Sequence, residues 1–206
     1  MSMSPIPTII VFDVGNVLIE WNMRHVYRRI FNDDASMEKF FEETNLMAWN
    51  LEQDRGRAWQ EAEELLIVDF PHYEHEIRAF RAQWHDMVPG AIIETVELHQ
   101  ALAHAGVPLY AITNFASDTF EEVQQRFPFL RGFIDIVVSA EENLVKPDAA
   151  IYQRLLNRNN LKAADCLFID DSEINIAGAR AVGMVAHHFS SAKELKVDLR
   201  KYGFAV

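Results

Sequence analysis

Ile9-Ile10-Val11-Phe12-Asp13-Val14-Gly15-Asn16-Val17-Leu18 is an apolar, β-branched run that breaks at a carboxylate and enters a turn containing glycine. A continuous apolar run of this length, rather than an alternating one, reads as a strand covered on both faces, and such strands belong to parallel sheets. In open α/β sheets ligands bind outside the carboxyl ends of the strands, and Asp13 stands at one. Taken alone, an aspartate here could simply cap the turn that follows it.

Working outward, further strand-like segments lie at Thr8–Phe12 (the same run), Pro108–Ile112, Ile134–Ser139, Cys166–Ile169 and Val185–His188. Helical periodicity separates most of them, at Ala91–Ala105, Asp118–Phe127, Ala149–Leu156, Ile174–Val182 and Ala192–Tyr202. Gly106 is placed to end the first of these helices. Strands alternating with helices predict an α/β fold, a Rossmann-like core built on a parallel sheet.

Between the first strand and the second lie roughly ninety residues without a strand pattern, far more than an ordinary connection needs. They read as helices at Met23–Phe31, Met37–Ala48, Arg57–Val68 and His72–His85, with breaks at Asn32-Asp33-Asp34 and Phe70-Pro71. The expected organisation is therefore a core of residues 1–19 and 89–206 with a helical cap, residues 20–88, inserted after the first strand.

Three more segments share the strand-end position of Asp13. Tyr110-Ala111-Ile112-Thr113-Asn114 ends in a hydroxyl and an amide, Lys146-Pro147 follows the third strand, and Phe168-Ile169-Asp170-Asp171 ends in paired carboxylates. Singly, each reads as easily as a turn, a solvated lysine or a helix cap. Jointly they make one constellation suited to phosphoryl transfer. Asp13 would attack phosphorus and carry an aspartyl-phosphate. Asp13, Asp170 and Asp171 would offer hard oxygen ligands to a magnesium ion. Lys146, the Thr113 hydroxyl and the Asn114 backbone N–H would hold the phosphoryl oxygens.

Composition sets the frame. The chain has 206 residues, half of them hydrophobic, which suits one soluble globular protein with a substantial core. A formal charge of −12 without a Lys/Arg-rich stretch argues against nucleic acid and anionic membranes as partners. A phosphate ester then needs a locally positive site, supplied by a metal, a lysine and backbone N–H groups. The single cysteine, Cys166, excludes an internal disulfide and reads as a small buried hydrophobe. The start MSMSPIPTIIVFD lacks the basic, long apolar pattern of a signal peptide, so the expectation is a cytoplasmic protein, monomer or homodimer.

With these residues assembled, the sequence resembles the haloacid dehalogenase-like (HAD) hydrolase superfamily, whose four ordered motifs match as FDVGNVL, AITN, VKP and FIDDSEINIAGA. The resemblance implies a Rossmann-like core with a helical cap, and a magnesium-dependent phosphatase acting on a small phosphorylated metabolite. It implies Gly15, through its main-chain carbonyl, as a further magnesium ligand beside Asp13, Asp170 and Asp171, with Asp171 the direct ligand of the pair. Asn175 and Gly178 fit the motif as supporting residues. One departure stands out: phosphatases of the superfamily usually carry a second aspartate two residues after the nucleophile as general acid and base, and here that position is Gly15.

The phrase DVGNV resembles, within the phosphatase branch, the α-D-glucose-1-phosphate phosphatase subgroup, which puts sugar phosphates among the candidate substrates. Glu20 is a candidate replacement acid or simply a solvated carboxylate; Trp49, Gln53 and Arg57, at helical spacing, either face the substrate or leave Trp49 in the cap core and Arg57 in solvent. Trp21, Trp59 and Trp84 are expected to pack the cap, and His187-His188 lacks metal-type spacing. Two rival readings remain: a 2-haloacid dehalogenase in which Asp13 attacks carbon without metal, and a phosphate-binding regulatory protein without turnover.

Overall fold

The computed structural model describes residues 6–206; Met1–Pro5, the first part of the expected core segment, lies outside the described residues. Strands β1 (Ile9–Phe12), β2 (Leu109–Thr113), β3 (Asp135–Val138), β4 (Cys166–Asp170) and β5 (Val185–His188) form a single parallel sheet in the order β3-β2-β1-β4-β5. Every residue of β2 and β4 is buried. Alternate residues feed two cores, as the two-residue period of a strand requires. Ile10, Phe12, Leu109 and Ala111 face one, while Val11, Tyr110, Ile112 and Phe168 face the other.

Helices α6 (Ile93–His104), α7 (Ser117–Arg126), α9 (Ala149–Arg158), α10 (Glu173–Ala181) and α11 (Ala192–Lys201) cover the sheet, with one turn of helix, α8 (Ser139–Glu142), directly after β3. Cys166 is fully buried, and burial pushes its thiol up to about 12, in keeping with a packing role. Among the described residues no helix is long and apolar enough to cross a membrane.

Between β1 and β2 lie α1 (Arg24–Ile30), α2 (Asp34–Glu43), α3 (Leu46–Asp54), α4 (Trp59–Asp69) and α5 (Glu74–Ala82), plus two short 3-10 turns. The break at Asn32-Asp33-Asp34 works as a cap: the Asp33 carboxylate accepts the Ser36 N–H at 2.7 Å at the start of α2. The expected single helix Met37–Ala48 is in fact two. Asn45 adopts φ 46°, a left-handed conformation that asparagine tolerates, and the chain turns there from α2 into α3. The expected start at Arg57 also fails, because α3 ends at Asp54 and α4 begins at Trp59. Gly56 occupies the gap at φ +108°, where a Cβ would sit 2.9 Å from Asn143 Oδ1. Only glycine meets both demands.

These helices have an aromatic interior. Tyr27 packs against Phe31, Phe40 and Phe41, and Trp59 stacks on Phe80 with Trp49 set edge-on to both. They are docked on the sheet domain by polar contacts. Arg81 on α5 pairs with Asp118 at 3.0 Å and Glu122 at 2.8 Å on α7, and the Trp59 indole N–H donates to Asp118 at 3.0 Å. Arg126 donates to the carbonyls of Val88 (2.7 Å) and Pro89 (3.0 Å), fastening the return segment.

Candidate active site

The strand order places the crevice at the C-terminal end of β1, because the chain runs from β1 outward to β2 on one side while β4 lies on the other. Asp13 follows β1, Asn114 follows β2, and Asp170-Asp171 closes β4. Lys146 reaches the same spot from the loop after α8. Asp13, Asn114, Lys146 and Asp171, with Gly15, Thr113 and Asn175, line a cleft of about 530 Å³ between the sheet and α3, and Asp170 is fully buried beside it.

Lys146 is the hub. It is 3% exposed, and its Nζ lies 2.7 Å from Asp13 Oδ1 and 2.7 Å from Asp170 Oδ2. Burial alone would pull its pKa down, but the two carboxylates outweigh it and hold the ammonium above its ordinary range. Asp170 is fully buried and also accepts the Ser172 N–H at 2.8 Å and the Asn175 amide at 3.0 Å. Its burial favours the neutral acid, yet Lys146 and these donors hold it below the usual carboxylate range. For Asp13 the balance tips the other way: burial pushes its carboxyl well up, Asp170 and Asp171 add to this, and Lys146 opposes it. Asp171 is raised by burial and by its neighbour Asp170.

Oxygens of Asp13, Asp170 and Asp171 lie within 4.8 Å of one another. Three hard oxygen donors against one shared lysine leave a surplus of negative charge, which is the donor chemistry a hard divalent cation satisfies.

The Asn114 side chain has a task of its own beside the one expected of its backbone N–H. It accepts the Lys146 N–H at 2.8 Å and donates to the Lys146 carbonyl at 3.1 Å, so it clamps the lysine's backbone to the end of β2. Gly178 on α10 supports the same loop. A Cβ there would lie 2.6 Å from the Pro147 carbonyl oxygen and 3.0 Å from the Tyr152 hydroxyl. Gly178→Ala is therefore expected to cost about 1–3 kcal/mol of stability and to lower activity through a displaced Lys146, read by thermal unfolding and by kcat/KM. At Gly15, by contrast, a Cβ would meet nothing within 4 Å.

The lining of the cleft separates the two readings of the inserted segment. Trp49, Gln53 and Arg57 turn away from the cleft and bond to one another: the Gln53 amide and the Arg57 guanidinium both donate to the Trp49 carbonyl, at 2.6 and 3.1 Å, and the Trp49 indole donates to Ala62 O at 3.1 Å. Met47, Ala48, Asn50, Leu51 and Asp54 face the cleft instead. Trp21 and Trp84 also line it rather than only packing the inserted helices, while Glu20 is exposed and is not among the lining residues. His187 pairs with Asp198 at 2.9 Å, away from this site.

Residues 7–183 match the family model of the haloacid dehalogenase-like hydrolases. The chain belongs to this family. A sesquiterpene phosphatase of Aspergillus oryzae is 28% identical over 193 residues, covering 93% of this chain and 94% of that protein. A HAD family enzyme from Bacteroides thetaiotaomicron, crystallised with magnesium and inorganic phosphate, superposes with a TM-score of 0.68 at 21% identity, over 90% of this chain and 95% of that one. An L-2-haloacid dehalogenase from Xanthobacter autotrophicus superposes with a TM-score of 0.64 at 14% identity, over 97% and 85%. The fold is thus shared by proteins named for different reactions, and the site has to discriminate between them.

Proposed function

We propose that this HAD hydrolase is a magnesium-dependent phosphatase that cleaves a phosphate monoester through an aspartyl-phosphate on Asp13. The observation carrying the reading is the cluster of Asp13, Asp170 and Asp171 oxygens within 4.8 Å, bridged on one side by Lys146. A metal-free attack on carbon gives the Asp170-Asp171 pair no evident role, whereas phosphoryl transfer needs several positive groups around the transferred oxygens. The phosphatase named among the relatives, similar along nearly its whole length, supports the same choice.

Asp13, Asp171 and the Gly15 carbonyl would hold the magnesium ion, with Asp170 fixing Lys146 and orienting the pair. When bound, the ion neutralises the charge of the acids and of the phosphoryl oxygens. Lys146 holds Asp13 in position and offers a positive charge to the phosphoryl group. Thr113, at the end of β2, lines the same space and would offer its hydroxyl to a phosphoryl oxygen. An Asp13 oxygen bonds to phosphorus as the bond to the leaving oxygen breaks; water then attacks phosphorus and releases inorganic phosphate and free Asp13.

The inserted wall favours an apolar organic group. Trp21, Met47, Ala48, Leu51 and Trp84 dominate it, with Asn50 and Asp54 as its polar groups. A fully hydroxylated sugar would leave many hydroxyls facing apolar surface, at a cost for each unpaired group. Terpenyl and other apolar alkyl monophosphates are therefore expected to exceed hexose phosphates in kcat/KM. Phosphate release from such a panel with magnesium, abolished by EDTA, would support the reading. Chloride release from 2-chloropropionate that survives EDTA, with no phosphate release from any ester, would overturn it.

A further inference from the structure

A phosphatase of this design needs a group to protonate the departing alcohol and later to take a proton from water. Gly15 offers no side chain for that work, and Glu20 is exposed outside the cleft. The acids that do line the cleft are Asp13, Asp171 and Asp54. Asp13 is the nucleophile of the proposed reaction and Asp171 a metal ligand, which leaves one carboxyl without a task, and it comes from the opposite wall.

Asp54 is the last residue of α3. Its position is fixed from both sides of the cleft: the Asn50 amide one turn earlier donates to Asp54 Oδ2 at 3.2 Å, and the Ser139 hydroxyl at the end of β3 donates to the Asp54 carbonyl at 2.5 Å. The same Ser139 oxygen accepts the Phe115 N–H at 2.8 Å, so the end of α3 is tied to the loop that follows Thr113-Asn114. Gly56, two residues on, lets the chain pass close to Asn143 and Ala140 and keeps that joint tight. From this fixed mount Asp54 lines the same cleft as Asp13, Thr113 and Lys146.

We propose that Asp54 is the general acid and base of this enzyme, supplied by the inserted helices in place of the carboxylate missing at position 15. The inference rests on the phosphatase reading above. In the first step the Asp13 oxygen bonds to phosphorus, the P–O bond to the alcohol breaks with its electron pair, and the Asp54 proton passes to that oxygen. In the second step the ionised Asp54 accepts a proton from water as the water oxygen bonds to phosphorus and the Asp13–phosphorus bond breaks. Asp54 ends protonated and the cycle closes.

The electrostatic setting agrees with this role. Burial pushes the Asp54 carboxyl up to about 7, against the pull of the Ala116 N–H and of the Lys146 charge. Its place at the C-terminal end of a helix also disfavours the anion. Lys146 is the cation whose charge reaches it, and Asp13 and Asp171 are the acids that share the cleft. An acid titrating near the working pH serves both steps, since it gives and takes a proton with little cost.

Two esters separate this role from a structural one. An alkyl phosphate needs its leaving oxygen protonated, whereas p-nitrophenyl phosphate expels a stable phenolate unaided. Asp54→Asn is expected to lower kcat/KM for the alkyl ester by about 10²–10³-fold and to leave that for p-nitrophenyl phosphate within about threefold. Because the variant also loses the base of the second step, its kcat for p-nitrophenyl phosphate falls and a burst of nitrophenolate equal to the enzyme concentration appears. Equal losses in kcat/KM for both esters, with no burst, would overturn the assignment of Asp54 and leave the phosphatase reading intact. Carbon-13 NMR of aspartate-labelled wild type, with Asp54→Asn to identify the signal, is expected to show this carboxyl titrating at about 7; titration near 4, as in an unperturbed carboxylate, would equally overturn it. A wild type that releases phosphate from neither ester brings down the phosphatase reading itself.

Discussion

Asp13→Asn is expected to reduce phosphate release by about 10⁴-fold or more, because it removes the atom that bonds to phosphorus while keeping the shape of the side chain. The side chain accepts the Val14 N–H at 2.7 Å and meets Lys146 Nζ at 2.7 Å, and an amide oxygen can keep both contacts. The variant should therefore fold and bind substrate. Rapid acid quench with a 32P-labelled ester checks the point directly: wild type should carry acid-precipitable label and Asp13→Asn none. Asp13→Ala should behave alike, and residual turnover in both variants at the wild-type level would remove Asp13 from the chemistry.

Lys146→Met carries the largest expected effect on stability. It leaves Asp13 and the fully buried Asp170 facing each other without their cation, and breaking a buried pair in this way costs about 3–5 kcal/mol. The cost depends on pH with a definite sign. Without the lysine both carboxyls have folded pKa values above their unfolded ones, so the folded state holds extra protons, and stability falls as pH rises above the unfolded carboxylate value of about 4. Urea unfolding at pH 6 and pH 8 should show the variant losing more at pH 8, while magnesium should restore part of the loss in the variant by binding at Asp13 and Asp171 and offsetting the uncompensated negative charge. Asp170→Asn in the same background should recover stability, because the two sites are in direct contact and their effects are not additive.

The sheet was legible because its strands are continuous apolar runs ending in breakers, and a parallel sheet brings their ends together by construction. Thr113, Asn114, Lys146 and Asp171 line one cleft with Asp13 for that reason, and Asp170 meets Lys146 from beneath it. The inserted helices were less legible. Asn45 marks the boundary between α2 and α3 only by its left-handed backbone, and an asparagine inside a helical pattern gives no strong signal of that. The face of α3 is ambiguous in the sequence because Trp49, its largest side chain, suits the substrate and the cap core equally. The aromatic interior of the insert takes it, 8% exposed between Trp59 and Phe80, and rotates Asp54 into the cleft. That rotation is a tertiary fact: it depends on where α3 meets Ser139, 85 residues away along the chain.

The open space beside Gly15 has an evolutionary reading. Two of the four glycine codons become aspartate codons by a single base change, and a Cβ at position 15 touches nothing within 4 Å. Packing does not forbid the second carboxylate, so a two-acid loop is one residue substitution away. A lineage with its proton donor on α3 would acquire a redundant one by that step, after which α3 would be free to change its wall, and with it the range of esters admitted, without first losing turnover.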